Sequence, residues 1–281
     1  MTTRAIRVTG LRKCYGDKRA VDGLGLEVEH GEIFAVLGPN GAGKTTTVEI
    51  LEGFRHRDGG EVEVLGTDPE HGDRHWRSRI GIVLQTSGDG PELTVREWVR
   101  HAASFYPRPR DPEEVIAAVG LAEKADARPT RLSGGQRRRL DVALGVIGNP
   151  ELLFLDEPTT GFDPEARRAF WELIRSLREE GTTILLTTHY LDEAEALADR
   201  CAVVSNGRVV ALDTPKNLGG RNQRHAEVRW IEDGEIRSER TDTPTALVSE
   251  LAARHGGEVP GLQVLRPTLE DVYLSLVQEA R

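Results

Sequence analysis

The chain has 281 residues, 37 basic against 46 acidic side chains for a formal charge of −9, and 38% apolar residues, enough for one large domain or a main domain with a small appendage. The acidic balance argues against a broad electrostatic footprint for nucleic acid, and no apolar run approaches the roughly 20 residues of a membrane-spanning helix. Cys14 and Cys201, the two cysteines, sit in no CxxC or Cys/His cluster, which excludes a disulfide framework and a structural zinc site.

At the front, Met1 to Gly10 lack the continuous apolar segment of a secretory signal, so a chain that stays in the cytosol is expected. Ile6 to Thr9, Leu24 to Glu29, Glu61 to Leu65 and Ile80 to Leu84 alternate apolar with polar residues, which predicts strands with one wetter face on an antiparallel flank. Ile33 to Leu37 is instead a continuous apolar run, the pattern of a strand covered on both faces. It leads into Gly38-Pro39-Asn40-Gly41-Ala42-Gly43-Lys44-Thr45 and a helix-compatible segment, Lys44 to Leu51. Glycines at that spacing let successive backbone N–H groups turn inward around phosphate oxygens, with a helix N-terminus behind them. Lys44 supplies a point charge for the β and γ phosphates, and Thr45 a hydroxyl for Mg²⁺.

From Thr94 to Gly148 the pattern is mostly helical, cut into short pieces by Pro107, Pro109, Pro112 and Pro129. Inside it, Ser133 and Gln136 of Leu132-Ser133-Gly134-Gly135-Gln136 form an S-x-x-Q capping box, which presents helix N–H groups and positive dipole to an anion. The following Arg137-Arg138-Arg139 reads as the solvated face of a helix. Leu152 to Leu155 form a second buried strand that delivers Asp156, placed to hold hydrated Mg²⁺, and Glu157, placed to orient or deprotonate an attacking water. Asp163-Pro164 starts the helix Pro164 to Glu179 as N-cap and first residue; any role at a dimer interface adds to that one. Thr183 to Thr187 make a third buried strand, followed by His189 and a helix over Leu191 to Ala198. This βα alternation predicts an α/β core around a parallel sheet.

After Thr214 the composition shifts. Residues 226–231 and 235–240 flank Glu232-Asp233-Gly234 as a hairpin, and helices follow at Pro244 to Arg254 and Thr268 to Gln278. The last carries Leu269, Val272, Tyr273, Leu276 and Val277 at helical spacing and so should dock one face.

With its motifs in this order, the chain over roughly residues 4 to 215 resembles the nucleotide-binding subunit of an ATP-binding cassette (ABC) transporter. The resemblance implies an α/β fold: a P-loop NTPase core of the ABC ATPase type with an antiparallel β flank and a helical subdomain. A nucleotide-binding domain is expected over residues 1–220, its helical part at about 88–148, with a small C-terminal α+β appendage at 221–281. It implies ATP hydrolysis with ATP and Mg²⁺. Gly38, Pro39, Asn40, Gly41, Ala42, Gly43, Lys44, Thr45 and Thr46 match the phosphate loop, and Tyr15 the aromatic ring that stacks on adenine. Gln85 matches the glutamine loop linking core to helical insert, and joins Thr45 and Asp156 at the metal. Glu157 matches the catalytic glutamate and His189 the switch histidine, with Lys44 the third catalytic group. Ser133, Gly134, Gly135, Gln136 and the Asp163 loop would meet the nucleotide held by the opposite subunit.

The resemblance further implies a homodimer closed on ATP and a separate transmembrane permease, gripped near the Gln85 loop and the helical insert through Trp98 or its neighbours. It also implies a peripheral position on the cytoplasmic face of the cell membrane, and no nucleic-acid partner. Arg266-Pro267-Thr268-Leu269-Glu270-Asp271-Val272-Tyr273-Leu274 is similar to the tails of daunorubicin-resistance-type (ABC-2) drug exporter ATPases, which implies export of drug-like or lipid-like substrates. The alternative is a soluble ABC ATPase acting on ribosomes or nucleic acid, disfavoured by a single cassette without a long coiled-coil insert. A regulatory module with little turnover is disfavoured by intact Glu157 and His189.

Overall fold

The computed structural model of the protein describes residues 4–83, 92–223 and 225–280. Its alternating segments open the chain: β1 (Arg4–Tyr15) and β2 (Lys18–Glu29) pair as an antiparallel hairpin. The apolar β3 (Ile33–Leu37) and α1 (Lys44–Leu51) follow, then β4 (Gly59–Val64), α2 (Arg74–Ser78) and β5 (Ile80–Val83). The helical insert holds α3 (Val95–Ala103), α4 (Pro112–Ala118) and α5 (Gly134–Val146). Thr94 caps α3 and Asp111 caps α4, whose first residue is Pro112, the position where a missing N–H costs nothing. The core resumes with β6 (Leu152–Asp156), α6 (Pro164–Glu179), β7 (Thr183–Thr188), α7 (Leu191–Leu197), β8 (Arg200–Ser205) and β9 (Arg208–Asp213). The C-terminal part comprises β10 (Ala226–Glu232), β11 (Glu235–Thr241), α8 (Pro244–Arg254), β12 (Gln263–Leu265) and α9 (Leu269–Glu279).

The central sheet runs β5-β6-β7-β3-β8-β9, parallel from β5 to β8 and closed by the antiparallel β9. One face, with Ala35, Leu37, Leu153, Leu155, Ile184 and Leu186, packs in a core with side chains of α5, α6 and α7. The other, with Phe34, Val36, Phe154 and Leu185, packs with α1 and with the buried face of the three-stranded sheet β2-β1-β4. The parallel strands all end on one side, where open α/β sheets bind ligands.

Two expectations need correction, and two elements were not foreseen. Ile80 to Leu84 does not join the antiparallel flank: Ile80–Val83 pairs in parallel with β6 at the edge of the central sheet. An edge strand is wet on one side, as the 36% exposure of Ile82 shows, so its alternation imitates a flank strand. Gly81 lets it close on α5, since a Cβ there would lie 2.2 Å from the Gly145 carbonyl oxygen. Arg137-Arg138-Arg139 is not one solvated face, because Arg138 is only 7% exposed. Successive helical residues turn by about 100°, so a triplet spans too wide an arc to stay in water on a packed helix. The β8–β9 hairpin and β12 have no counterpart in the sequence reading, although Asn206-Gly207 between apolar runs is the strongest short-range hairpin signal.

In the C-terminal part, α8 covers Val228 and Trp230 of β10 in a small separate cluster. The last helix docks elsewhere: Leu269 and Val277 of α9 enter the helix-covered core beside β8, β9 and α7.

Candidate functional site

The phosphate loop leaves the C-terminal end of β3 and enters α1. Gly43 is the helix N-cap with φ of 103°, and a Cβ on it would meet the Ala20 carbonyl oxygen at 2.3 Å. Gly38 is equally constrained, its Cβ position lying 2.3 Å from the Val204 carbonyl oxygen. The β8–β9 turn braces the loop, with Gly207 N–H donating to the Ala42 carbonyl at 3.0 Å. Lys44 is 6% exposed, and its ammonium donates to the carbonyls of Gly38 at 2.6 Å and Pro39 at 3.2 Å. Burial lowers its pKa, opposed by the charges of Glu157 and Asp156. The ammonium is thus a pre-placed cation, bonded to its own loop and ready to exchange carbonyls for phosphate oxygens.

Around this loop lies an open cavity of about 440 Å³ lined by Tyr15, Lys18, Ala20, Asn40, Gly41, Gly43, Lys44, Thr45, Thr46 and Glu157, within the range of small-molecule sites. Tyr15 is 41% exposed, and the Arg55 guanidinium stands 5.4 Å from its ring centroid while bonding Glu49 at 2.6 Å. Lys18 and Arg55 carry no motif, and only the folding of the β1–β2 hairpin and the end of α1 towards the loop reveals them.

Asp156, at the end of β6, accepts a hydrogen bond from the Thr187 hydroxyl of β7. Glu157 follows with φ of 45°, and its N–H donates to the Thr187 carbonyl at 3.1 Å and hydroxyl at 3.2 Å. Its carboxylate lies 3.3 Å from His189 Nδ1, and the exposed His189 ring sits 4.1 Å from that of Tyr190. Parallel pairing of β6, β7 and β3 therefore gathers Asp156, Glu157, His189 and Lys44, which are far apart in sequence. Thr187 is a residue the sequence reading missed, hidden as a strand threonine.

The capping box at Ser133 forms as expected: Gln136 N–H donates to Ser133 Oγ at 3.2 Å, and Ser133 N–H to Gln136 Oε1 at 3.0 Å. Neither this cap nor Gly134 and Gly135 lines the cavity at the phosphate loop. Asp163 is exposed and caps α6 by accepting from Ala166 N–H at 2.8 Å. Trp98 is half-buried against the helix-covered core, and Gln85 lies outside the described residues. A larger cavity, about 590 Å³, lies between β10, β12 and the start of α9, but its charges are largely committed: Arg229 pairs with Glu227, and Asp271 caps α9.

Residues 21–160 match the family model described as ABC transporter. The chain is 44% identical over 223 residues to the Nod factor export ATP-binding protein I of Ralstonia nicotianae, covering 77% of this chain and 69% of that one. It is 39% identical over 306 residues to the daunorubicin/doxorubicin resistance ATP-binding protein DrrA of Streptomyces peucetius, covering 98% and 92%. Among solved structures, an ATP-binding subunit of an ABC transporter shares the fold with a TM-score of 0.72 at 24% identity, covering 97% of this chain and 99% of that one. A dimeric post-hydrolysis ATP-binding cassette bound to ADP and Pi has a TM-score of 0.68 at 25% identity, covering 74% and 98%. The chain belongs to the ATP-binding proteins of the ABC transporter family, the ATPases that power transport.

Proposed function

We propose that two copies of the chain close on two ATP molecules, and that closure and hydrolysis drive a separate membrane permease exporting drug-like or lipid-like molecules. One observation carries this reading. The phosphate loop and Glu157 line an open cavity, while the finished anion cap at Ser133 lies outside it, so a second copy must bring the cap to the phosphates. Two-fold symmetry then makes two equivalent composite sites. The oxygen donors present, the Asp156 carboxylate and the Thr45 hydroxyl, suit Mg²⁺ in both charge and hardness, with Gln85 as a third donor. Bound there, Mg²⁺ would neutralise charge on the phosphates. Within each site Lys44 holds the phosphates, Glu157 orients or deprotonates the water and His189 contacts the γ-phosphate. Tyr15 stacks on the base, while Ser133, Gly134, Gly135, Gln136 and Asp163 act across the interface.

The export names of the relatives support an exporter, and in this reading the chain sits on the cytoplasmic face of the membrane beside its permease. No helix among the described residues is long and apolar enough to cross a membrane, and the cargo path is assigned to that permease. Residues 1–220 form the nucleotide-binding unit in this reading, with its helical part at about 88–148, and 221–281 the accessory unit. The test is light scattering of the Glu157→Gln protein with Mg²⁺. ATP should convert monomer to dimer, and a protein that binds ATP yet stays monomeric overturns the proposal. Recovery of the chain from membranes together with a multi-helix protein tests the permease.

A further inference from the structure

Glu157 stands on a left-handed backbone, φ 45°, which L-residues keep only where the surroundings hold it. Thr187 holds the turn from one side, through the two hydrogen bonds to Glu157 N–H. From the other side comes Arg138 of α5. Its Nη2 donates to the Asp156 carbonyl at 2.7 Å and its Nε to the Pro158 carbonyl at 3.0 Å. One planar fork therefore grips the carbonyls of both residues flanking Glu157, a geometry that guanidinium supplies and ammonium does not.

The cation is costly to place there. Burial pushes its pKa down, and the carboxylates of Asp141, Asp156 and Glu193 push it back up. Glu193 on α7, four residues after His189, is fully buried. Thr188, Thr159 and Trp171 lie beside its carboxyl, yet neither carboxyl oxygen has a hydrogen-bond partner among the described residues. Burial raises the Glu193 carboxyl, and its charge is one of three that favour the Arg138 cation in this buried setting. Arg138 also lies five residues after Ser133, the N-cap of the same helix, about 7.5 Å along the axis. The helix between them is stiff, so any shift of the cap is a shift of the fork.

We propose that Arg138 is a positioning residue that couples the two nucleotide sites of the homodimer, tying the cap each copy offers its partner's ATP to the turn that carries its own Glu157. The inference rests on the two-copy reading above. Seating Ser133 on the phosphate of one site fixes α5, and through Arg138 fixes the Glu157 turn that serves the other site.

The experiment measures hydrolysis by the full chain against ATP concentration for the parent, Arg138→Met and Arg138→Lys. The lysine variant keeps the buried charge but offers one donor atom in place of the fixed Nε–Nη2 fork, so it decides the matter if the methionine variant does not fold. The parent should respond cooperatively to ATP. In Arg138→Lys, kcat should fall about 2- to 30-fold, the range of coupling such networks carry, with the half-saturating ATP concentration shifted less than about twofold. Its Hill coefficient should fall to unity, and ATP should still dimerise the Glu157→Gln/Arg138→Lys double variant. A folded lysine variant with the parent's kcat and cooperativity overturns the proposal, as does a parent without cooperativity. Failure of Glu157→Gln alone to dimerise removes the two-copy reading and the coupling with it, a result distinct from a dimer that forms but is not coupled through Arg138.

Discussion

Glu52, just past the last turn of α1, is 8% exposed, and burial together with the charges of Asp156 and Glu49 pushes its carboxyl from 4.5 up to about 8. An acid raised by folding makes stability fall as pH rises. The unfolded chain releases the proton near 4.5 whereas the folded one keeps it to about 8, so the unfolded state binds fewer protons across that window. Below the window the penalty is absent, and above it the penalty is complete and constant. At about 1.4 kcal/mol per pH unit, the span from about pH 5 to about pH 8 is worth at most roughly 3.5 kcal/mol. Relaxation and water entry around a buried charge bring the expected figure nearer about 2 kcal/mol. Glu52→Gln preserves shape and removes the titration. Urea unfolding of parent and variant, without nucleotide or Mg²⁺, should show the variant's advantage growing by about 2 kcal/mol between those pH values, or about 4 °C in Tm. Glu32 and Glu193, also raised by burial, are present in both proteins and cancel. Parallel pH profiles would refute the placement of an ionisable carboxyl in that buried environment.

Glu157→Gln should bind ATP as the parent does while hydrolysis slows by about 10²-fold or more, the scale of losing a general base; unchanged turnover removes Glu157 from its role. Ser133→Arg puts a bulky cation where the cap must meet phosphate, so ATP-driven dimers should vanish from light scattering while monomer binding persists, and a surviving dimer contradicts the composite site. Gly43→Ala places a Cβ 2.3 Å from the Ala20 carbonyl oxygen at φ 103°; ATP affinity, read by titration with a fluorescent analogue, should weaken at least about tenfold, and parent-like affinity would show that the loop is not held by the β1–β2 hairpin.

What the sequence made legible follows from how local each signal is. Lys44–Leu51 and Pro164–Glu179 are helices with the expected bounds, because glycine, proline and capping side chains punctuate a chain locally. The Ser133–Gln136 box is legible for the same reason: its two hydrogen bonds join residues three apart. Ile80–Val83 misled because a half-wet pattern reports exposure, and an edge strand of a parallel sheet has the exposure of an antiparallel one. Thr187 and Arg138 stayed hidden because their roles are non-local. A strand threonine looks like β-propensity, and the middle of three arginines looks like its solvated neighbours, until β6, β7 and α5 converge on one turn.

The two halves of the site are held by different means, and this separates their failures. The phosphate loop is fixed mainly by backbone: Gly43 packs on the Ala20 carbonyl, Gly207 N–H bonds the Ala42 carbonyl and Asp22 N–H bonds the Gly207 carbonyl at 2.9 Å. Even the turn that braces it is pinned, by the Asn206 amide donating to the Ala280 carbonyl at 2.7 Å beyond α9. Apart from that Asn206 amide and the Lys44 ammonium on the Gly38 and Pro39 carbonyls, these contacts are made by backbone, so the cradle is largely a property of the scaffold. The Glu157 turn is the opposite case, a strained backbone kept in place by the Thr187 hydroxyl and carbonyl and by the reach of one arginine from another helix. Binding should therefore weaken when the scaffold's glycines acquire side chains, whereas turnover should slow when Thr187 or Arg138 is changed with binding left standing. Under the proposed coupling, such a chain would hold nucleotide whether or not the cap helix is seated and hydrolyse it only when it is.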